Sequence, residues 1–303
     1  MVLPRPRGHL ITEQRNPRSS ELDRLSVREI LELINAEDAT IAAAVKGAIP
    51  RIEQFVERVA KALLAGGRLI YVGAGTSGRL GVLDAAECPP TFSVAPEMVV
   101  GLIAGGPPAL SSSIEGAEDR PENGNKALAA LNPGPNDCVL GIATGGTTPF
   151  VHGALELARQ RGAFTGFLVC TSESGLEALA DVIIPVVVGP EVITGSTRMK
   201  AGTATKLVLN MISTTAMVKL HKTYGNLMVD LKALNDKLWE RGSRIVAELT
   251  GRDFEAAYKL LQAAEGGVKA ALVMHHRDES LTAARCRLEA GQGDLRQVLE
   301  AGD

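Results

Sequence analysis

Aromatic residues are scarce in this chain, only 3% of 303 residues, so stacking platforms for bases or sugar rings have little to be built from. Positive charge is not in excess either. Lys and Arg number 32 against 35 Asp and Glu, a net charge of −3, which excludes binding to nucleic acid through bulk positive charge. A local anion site remains compatible with that balance. The four cysteines, Cys88, Cys138, Cys170 and Cys286, form no CxxC pair, and the N-terminal stretch MVLPRPRGHLITEQRN has no apolar run of the kind a signal peptide carries. Free thiols in a reducing compartment, hence a cytoplasmic protein, are the expectation. The histidines are His9, His152, His221, His275 and His276, with no HExxH and no cysteine cluster beside them, so no metal is expected. There is no GxSxG elbow and no GxxxxGK[ST] loop, which argues against a serine hydrolase and against nucleoside triphosphate chemistry. The stretches poorest in charge, 88–114 and 138–155, are broken by Gly, Pro, Thr and Ser, and neither reads as a membrane span.

What is present has a clear texture. Residues 1–25 are polar and rich in Arg and Pro, and read as an arm rather than a core element. Ser26 with Glu29 makes a capping box ahead of Ile30, Leu31, Leu33 and Ile34. A second helix is expected over 38–64, kinked or split at Pro50. From Gly66-Gly67 onward, short apolar runs alternate with amphipathic segments. The runs 68–75, 98–106, 138–146, 164–172 and 182–189 read as buried strands of a parallel sheet covered by helices on both faces, an α/β fold. Helices are expected over about 199–224 and 229–249. Beyond Thr250-Gly251, residues 252–303 show three or four short helical stretches and no strand, a small all-helical module.

Three hydroxyl-rich loops carry the chemistry. The first, Gly73-Ala74-Gly75-Thr76-Ser77-Gly78-Arg79, contains GxGxxG. A dinucleotide site needs an acid at the end of the next strand, and here that strand ends in Ala104-Gly105-Gly106. The remaining readings are a monophosphate cradle, with Gly75, Thr76, Ser77 and Gly78 at a helix N-terminus, or a capped strand-to-helix turn. Similar chemistry recurs at Thr144, Thr147 and Thr148, and again at Ser196, Thr197, Arg198 and Lys200, where Arg198 and Lys200 bring formal positive charge. Three such loops at the C-terminal ends of strands in one sheet favour a phosphate site. Two carboxylates lie close in sequence: Glu87 in DAAECPP, where the helix is expected to stop before the prolines, and Glu118 in EGAED. Taken alone, each reads more readily as a solvated charge at a helix end. Apolar neighbours would raise the pKa of Glu87 if it were buried.

The strand–GAGTSGR–helix unit resembles the sugar isomerase (SIS) domain. Within that group, LITEQRN (10–16), LIYVGAGTSGRLGVLDAAECPPTF (69–92), VVGLIAGG (99–106), EGAED (115–119), TGSTRMKAGTATKLVLNMIST (194–214) and GNLMVD (225–230) resemble the N-acetylmuramic acid 6-phosphate etherases. The resemblance implies an N-terminal arm with helices over 1–50, a SIS domain over 51–225, a connecting helix over 226–250 and a helical module over 251–303. It implies a carbon–oxygen lyase acting on a phosphorylated amino sugar, usually a homodimer, with no cofactor, no metal, no nucleic acid and no membrane. The implied chemistry is cleavage of the D-lactyl ether, with Glu87 as proton donor and Glu118 as the second glutamate, read as base. One departure stands out. The family usually carries Ala-Ser-Gly-Arg-Thr-Pro where this chain has Thr144-Gly145-Gly146-Thr147-Thr148-Pro149, so a serine and an arginine are replaced. Two other readings of the same fold are a non-catalytic sugar-phosphate-binding regulator and an aldose–ketose isomerase. The pair of glutamates argues against the first, and AECPPTF together with EGAED against the second.

Overall fold

The structure, a computed structural model, describes residues 8–172, 174–233 and 235–300. The outer ends of the expected arm and module, and Leu234 in the expected connecting helix, lie outside the described residues. The chain forms two compact units. One holds the residues up to Ala86 together with Glu97–Ser213; the other holds Glu87–Pro96 and the chain from Thr214 onward.

In the first unit the arm makes three short 3-10 turns, at Ile11–Glu13, Pro17–Ser19 and Leu22–Arg24. It is not a solvated arm throughout: Thr12 and Asn16 are buried, Thr12 to 1% exposure. Helix α1 (Val27–Asp38) opens with the expected Ser26–Glu29 capping box. Helix α2 (Ile41–Leu64) runs unbroken through Pro50. The proline is tolerated because the carbonyl that loses its usual donor belongs to Lys46, an exposed residue where water can serve.

The five expected strands all form: β1 (Leu69–Gly73), β2 (Val99–Ile103), β3 (Cys138–Ile142), β4 (Phe164–Val169) and β5 (Val182–Pro185). They pair in parallel in the order β2-β1-β3-β4-β5. Their connections include α3 (Gly75–Phe92), α4 (Pro121–Ala129) and α5 (Pro149–Gln160). The two faces bury different partners. Ile70, Val72, Val139 and Phe167 pack with Leu128 of α4 and with Phe150, Val151, Ala154 and Leu155 of α5. On the other face, Gly101 leaves room for Val82 of α3, and Gly166 leaves room for the Phe55 ring of α2. Covering both faces is what the near-continuous apolar strands require.

Helix α3 does not stop before its prolines. Pro89 and Pro90 lie within its final turn, and the Ser93 N–H closes on the Pro89 carbonyl at 2.9 Å with Ser93 at φ 50°. Helix α6 (Lys200–Lys219) ends five residues short of the expected 224. The segment from 220 to 235 is irregular, with left-handed His221 and Gly225 (φ 60° and 56°) and bridges Tyr224–Leu227 and Lys232–Gly267. Helix α7 (Asp236–Thr250) starts at an Asn235 cap and ends at left-handed Gly251. Helices α8 (Phe254–Ala263), α9 (Val268–Arg277), α10 (Leu281–Ala290) and α11 (Leu295–Glu300) follow, with no strand among the described residues of this region. With α7 they bury one core, which includes Val246, Leu261, Leu272 and Val298.

Candidate phosphosugar site

The chain leaves β1 toward β2 on one side and leaves β3 toward β4 on the other. The C-terminal ends of β1 and β3 therefore flank the point where the winding reverses, which is where open α/β sheets bind ligands. A cavity of about 230 Å³ opens there. It is lined by Ala74, Gly75, Thr76 and Ser77 after β1, by Ile142 to Gly145 with Thr147 and Thr148 after β3, and by Thr197, Glu118, Leu10, Thr12 and Glu13. A second cavity of about 240 Å³ shares Ala74, Gly75 and Glu118 and continues along Ser112 to Asp119. Each is smaller than a usual small-molecule site; the two together are of the usual size.

The sequence explains how the walls are set. Gly75 opens α3 at φ +52°, a left-handed conformation that favours glycine. Gly78 lets the first turn of α3 lie against the sheet: a Cβ there would meet Ile103 Cγ1 at 2.6 Å and the Gly73 carbonyl at 2.8 Å. The role of Gly78 is thus close packing, and it does not line the cavity. Glu118 is fixed through its backbone, because its carbonyl accepts the Phe150 N–H at 3.0 Å at the start of α5. The residue is exposed and lines both cavities. Arg79 braces the second cavity by donating to the carbonyls of Leu110 and Ser112, each at 3.1 Å.

Three helices begin near this crevice, but they do not offer equal anion sites. The N-terminus of α6 is already capped, since the buried Glu191 carboxylate accepts the N–H groups of Lys200 and Ala201, both at 2.9 Å. That of α5 begins with Pro149, which has no N–H, and its Phe150 N–H is taken by Glu118. The remaining one is α3, where the Gly78 N–H closes on the Ala74 carbonyl at 3.3 Å and the N–H groups before it lie at the positive end of the helix dipole. Thr76, Ser77, Thr144, Thr147, Thr148 and Thr197 add hydroxyls. Among the described residues no lysine or arginine lines this cavity.

Seven of the expected ligand-binding residues thus gather here: Gly75, Thr76, Ser77, Thr144, Thr147, Thr148 and Thr197. Glu118 joins them. Others do not. Lys200 is 3% exposed and its ammonium pairs with the Glu37 carboxylate at 2.5 Å, so it supplies no charge to the cavity. Burying Glu37 requires a cation beside it, and Lys200 is that cation. Ser196 is half-buried and Arg198 exposed, and neither lines the cavity. Glu87 is exposed rather than buried among its apolar neighbours. It does not line the cavity, and it belongs to the other compact unit.

Sequence reasoning missed Leu10, Thr12 and Glu13, although the LITEQRN stretch containing them was a mark of the resemblance. It also missed Asp84, on α3 in the DAAECPP stretch. Asp84 is 5% exposed and accepts hydrogen bonds from the Tyr71 hydroxyl at 2.8 Å and the Ser213 hydroxyl at 3.2 Å. Burial pushes its carboxyl above the usual range, against the lowering effect of those two bonds and of the Lys206 charge. Among the described residues no group of three or more His, Cys, Asp or Glu is gathered to hold a metal, and no helix is long and apolar enough to cross a membrane.

A doubly wound parallel sheet with hydroxyl-rich loops at its reversal point defines a SIS-type domain, and residues 51–159 match the glucokinase regulatory protein N-terminal SIS domain family. The chain is 51% identical over 292 residues to a protein of Rhodopirellula baltica named N-acetylmuramic acid 6-phosphate etherase, covering 96% of this chain and 97% of that one. Proteins of the same name from Nostoc sp. (53% identical, 97% and 95% covered) and Mycolicibacterium smegmatis (50%, 97% and 98%) match as fully. The chain belongs to the N-acetylmuramic acid 6-phosphate etherase family.

Proposed function

We propose that this protein cleaves the D-lactyl ether of N-acetylmuramic acid 6-phosphate, yielding N-acetylglucosamine 6-phosphate and D-lactate, in the recycling of cell-wall amino sugar. The observation that carries the reading is the cavity at the sheet's reversal point, where a helix N-terminus and seven serine and threonine residues meet Glu118. The names of the family's members supply the substrate. In this reading the phosphate sits at the N-terminus of α3, held by Gly75, Thr76 and Ser77 with the threonines of the β3–α5 loop. The two carboxylates in that cavity, Glu13 and Glu118, favour placing the sugar's hydroxyls rather than a second anion against them.

The reaction is an elimination followed by an addition. The ring-opened aldehyde at C1 acidifies the C2 proton, which Glu118 removes. The C3 ether oxygen leaves as the lactate hydroxyl after taking a proton from Glu87. Water then adds at C3, and C2 regains a proton. The likeness to the etherase family supports a homodimer as part of the same reading. The buried thiols and the lack of a membrane-spanning helix among the described residues support a cytoplasmic protein.

The test is incubation with N-acetylmuramic acid 6-phosphate in deuterated, oxygen-18 water. D-Lactate should be released with an unlabelled hydroxyl, and the sugar product should carry deuterium at C2 and oxygen-18 at C3. Absence of D-lactate would remove the assigned reaction. Retention of the original C2 hydrogen in every product molecule would remove the elimination route.

A further inference from the structure

The N-terminal arm is fastened to the first unit in a way its sequence does not advertise. Leu10 and Thr12 lie beside the β3–α5 loop: a Cβ on Gly145 would stand 3.6 Å from Leu10 Cδ1 and from Thr12 Oγ1. Glu13 lies beside the loop before α6, where a Cβ on Gly195 would be 3.2 Å from Glu13 Oε2. The arm thus packs against two of the hydroxyl-rich loops and lines the cavity they form. Three side chains hold it. The Ser19 hydroxyl donates to the Val192 carbonyl at 2.7 Å, Asn16 Nδ2 to the Pro190 carbonyl at 3.4 Å, and the Arg18 guanidinium pairs with Glu37 Oε1 at 2.8 Å. The other oxygen of Glu37 is held by Lys200, and Glu37 also takes a side-chain hydrogen bond from Asn16. Lys200 is itself immobilised, because its backbone N–H is bound to Glu191.

We infer that residues 10–13 are a fixed wall of the phosphosugar cavity and that the Arg18–Glu37–Lys200 ion triad holds this wall in place. Lys200 is then a positioning residue and does not contact the phosphate. The inference rests on the proposed reading of the cavity. Removing Arg18 detaches the arm from Glu37 directly, and removing Lys200 takes away the buried cation that fixes the carboxylate Arg18 holds. The two ends differ in burial, since the Arg18 side chain is 54% exposed and that of Lys200 only 4%.

The experiment compares wild type with Arg18→Met, Lys200→Met and Lys200→Arg. Hydrogen–deuterium exchange over residues 9–16 and tryptic cleavage at Arg15 should both rise in Arg18→Met and in Lys200→Met, and return toward wild type in Lys200→Arg. With N-acetylmuramic acid 6-phosphate, both Met variants should raise KM about tenfold, the factor one charge-assisted hydrogen bond is worth, with kcat nearly unchanged. Inhibition by inorganic phosphate should stay as in wild type. Unchanged exchange over 9–16 in Arg18→Met would overturn the proposal. So would a Lys200→Met protein that selectively loses phosphate inhibition while Arg18→Met keeps it, since that pattern marks a direct phosphate contact. If Lys200→Met does not fold, Arg18→Met decides the matter from its exposed position. The exchange measurement needs no substrate, so it decides the role of the triad even if wild type releases no D-lactate.

Discussion

Four acidic side chains, Glu37, Asp84, Glu87 and Glu118, differ in what surrounds them, and their surroundings assign them different work. Glu37 sits between cations; burial alone would push its carboxyl up, but Lys200, Asn16 and Arg18 hold it below the usual range. It is a structural anion. Glu87 and Glu118 are exposed, so replacing either costs the fold little. Glu87→Gln and Glu118→Gln should each lower kcat by about 10²–10⁴ while leaving the urea midpoint in place. Near-normal D-lactate release from either variant would remove that residue from the mechanism. Asp84 is of a third kind, a buried acid whose folded pKa is raised. Between its unfolded and folded values the native state binds more protons than the unfolded state, so this group's contribution to stability falls as pH rises through that window. Asp84→Asn removes the titration. The stability of wild type minus that of Asp84→Asn, from urea unfolding at pH 4 to 7, should therefore decline with rising pH. A difference that rises with pH would show that the carboxylate is stabilised in place.

At the scale of elements, the strands were legible because each is a short apolar run with no competing period, and buried parallel strands have no other pattern to show. Proline misled twice. A split of α2 at Pro50 and an end of α3 before Pro89-Pro90 are the sequence expectations, yet both helices run through their prolines. A proline removes one or two hydrogen bonds, and tertiary packing along the rest of a long helix outweighs that loss. The segment from 220 to 235 misled in the opposite sense. Leu220, Val229 and Leu231 are buried, so its apolar residues suggested helix, but His221 and Gly225 in left-handed conformations end α6 and turn the chain. The three hydroxyl-rich loops were legible from composition. Their unequal standing was not, because the caps on α5 and α6 come from Glu118 and Glu191, residues outside the loop motifs themselves. The position of the β3–α5 loop depends on α5, which packs closely on α4. A Cβ on Gly153 of α5 would collide with the Pro121 backbone carbonyl at the start of α4. Gly153→Ala should lower the unfolding free energy by about 1–3 kcal/mol and raise KM, since the collision displaces the helix that carries Thr148 and anchors Glu118. Full stability in that variant would mean that the α4–α5 approach has slack.

For the molecule as a whole, the cysteines report on the two units separately. Cys138 begins β3 and Cys170 follows β4, both inside the sheet of the first unit, and burial pushes both thiols up to about 12. Cys88 is buried in the second unit, and Cys286 is exposed on α10 in the same unit. Alkylation requires both access and thiolate. The native protein at pH 8 should therefore take one alkyl group per chain, at Cys286, and the fully denatured chain four. Intermediate urea carries more information. Adjacent strands of one parallel sheet share their ladder hydrogen bonds, so β3 and β4 open as one cooperative element. Cys138 and Cys170 should become reactive together, with one midpoint. Cys88 lies on the last turns of α3, in the residues grouped with the other unit, so its midpoint is read separately from theirs. Mass spectrometry of chains alkylated across a urea series reads all four sites at once. A population modified at Cys138 but protected at Cys170 would show that the sheet opens strand by strand, and it would contradict the single continuous core that holds Val139, Phe167 and Val169 against α5.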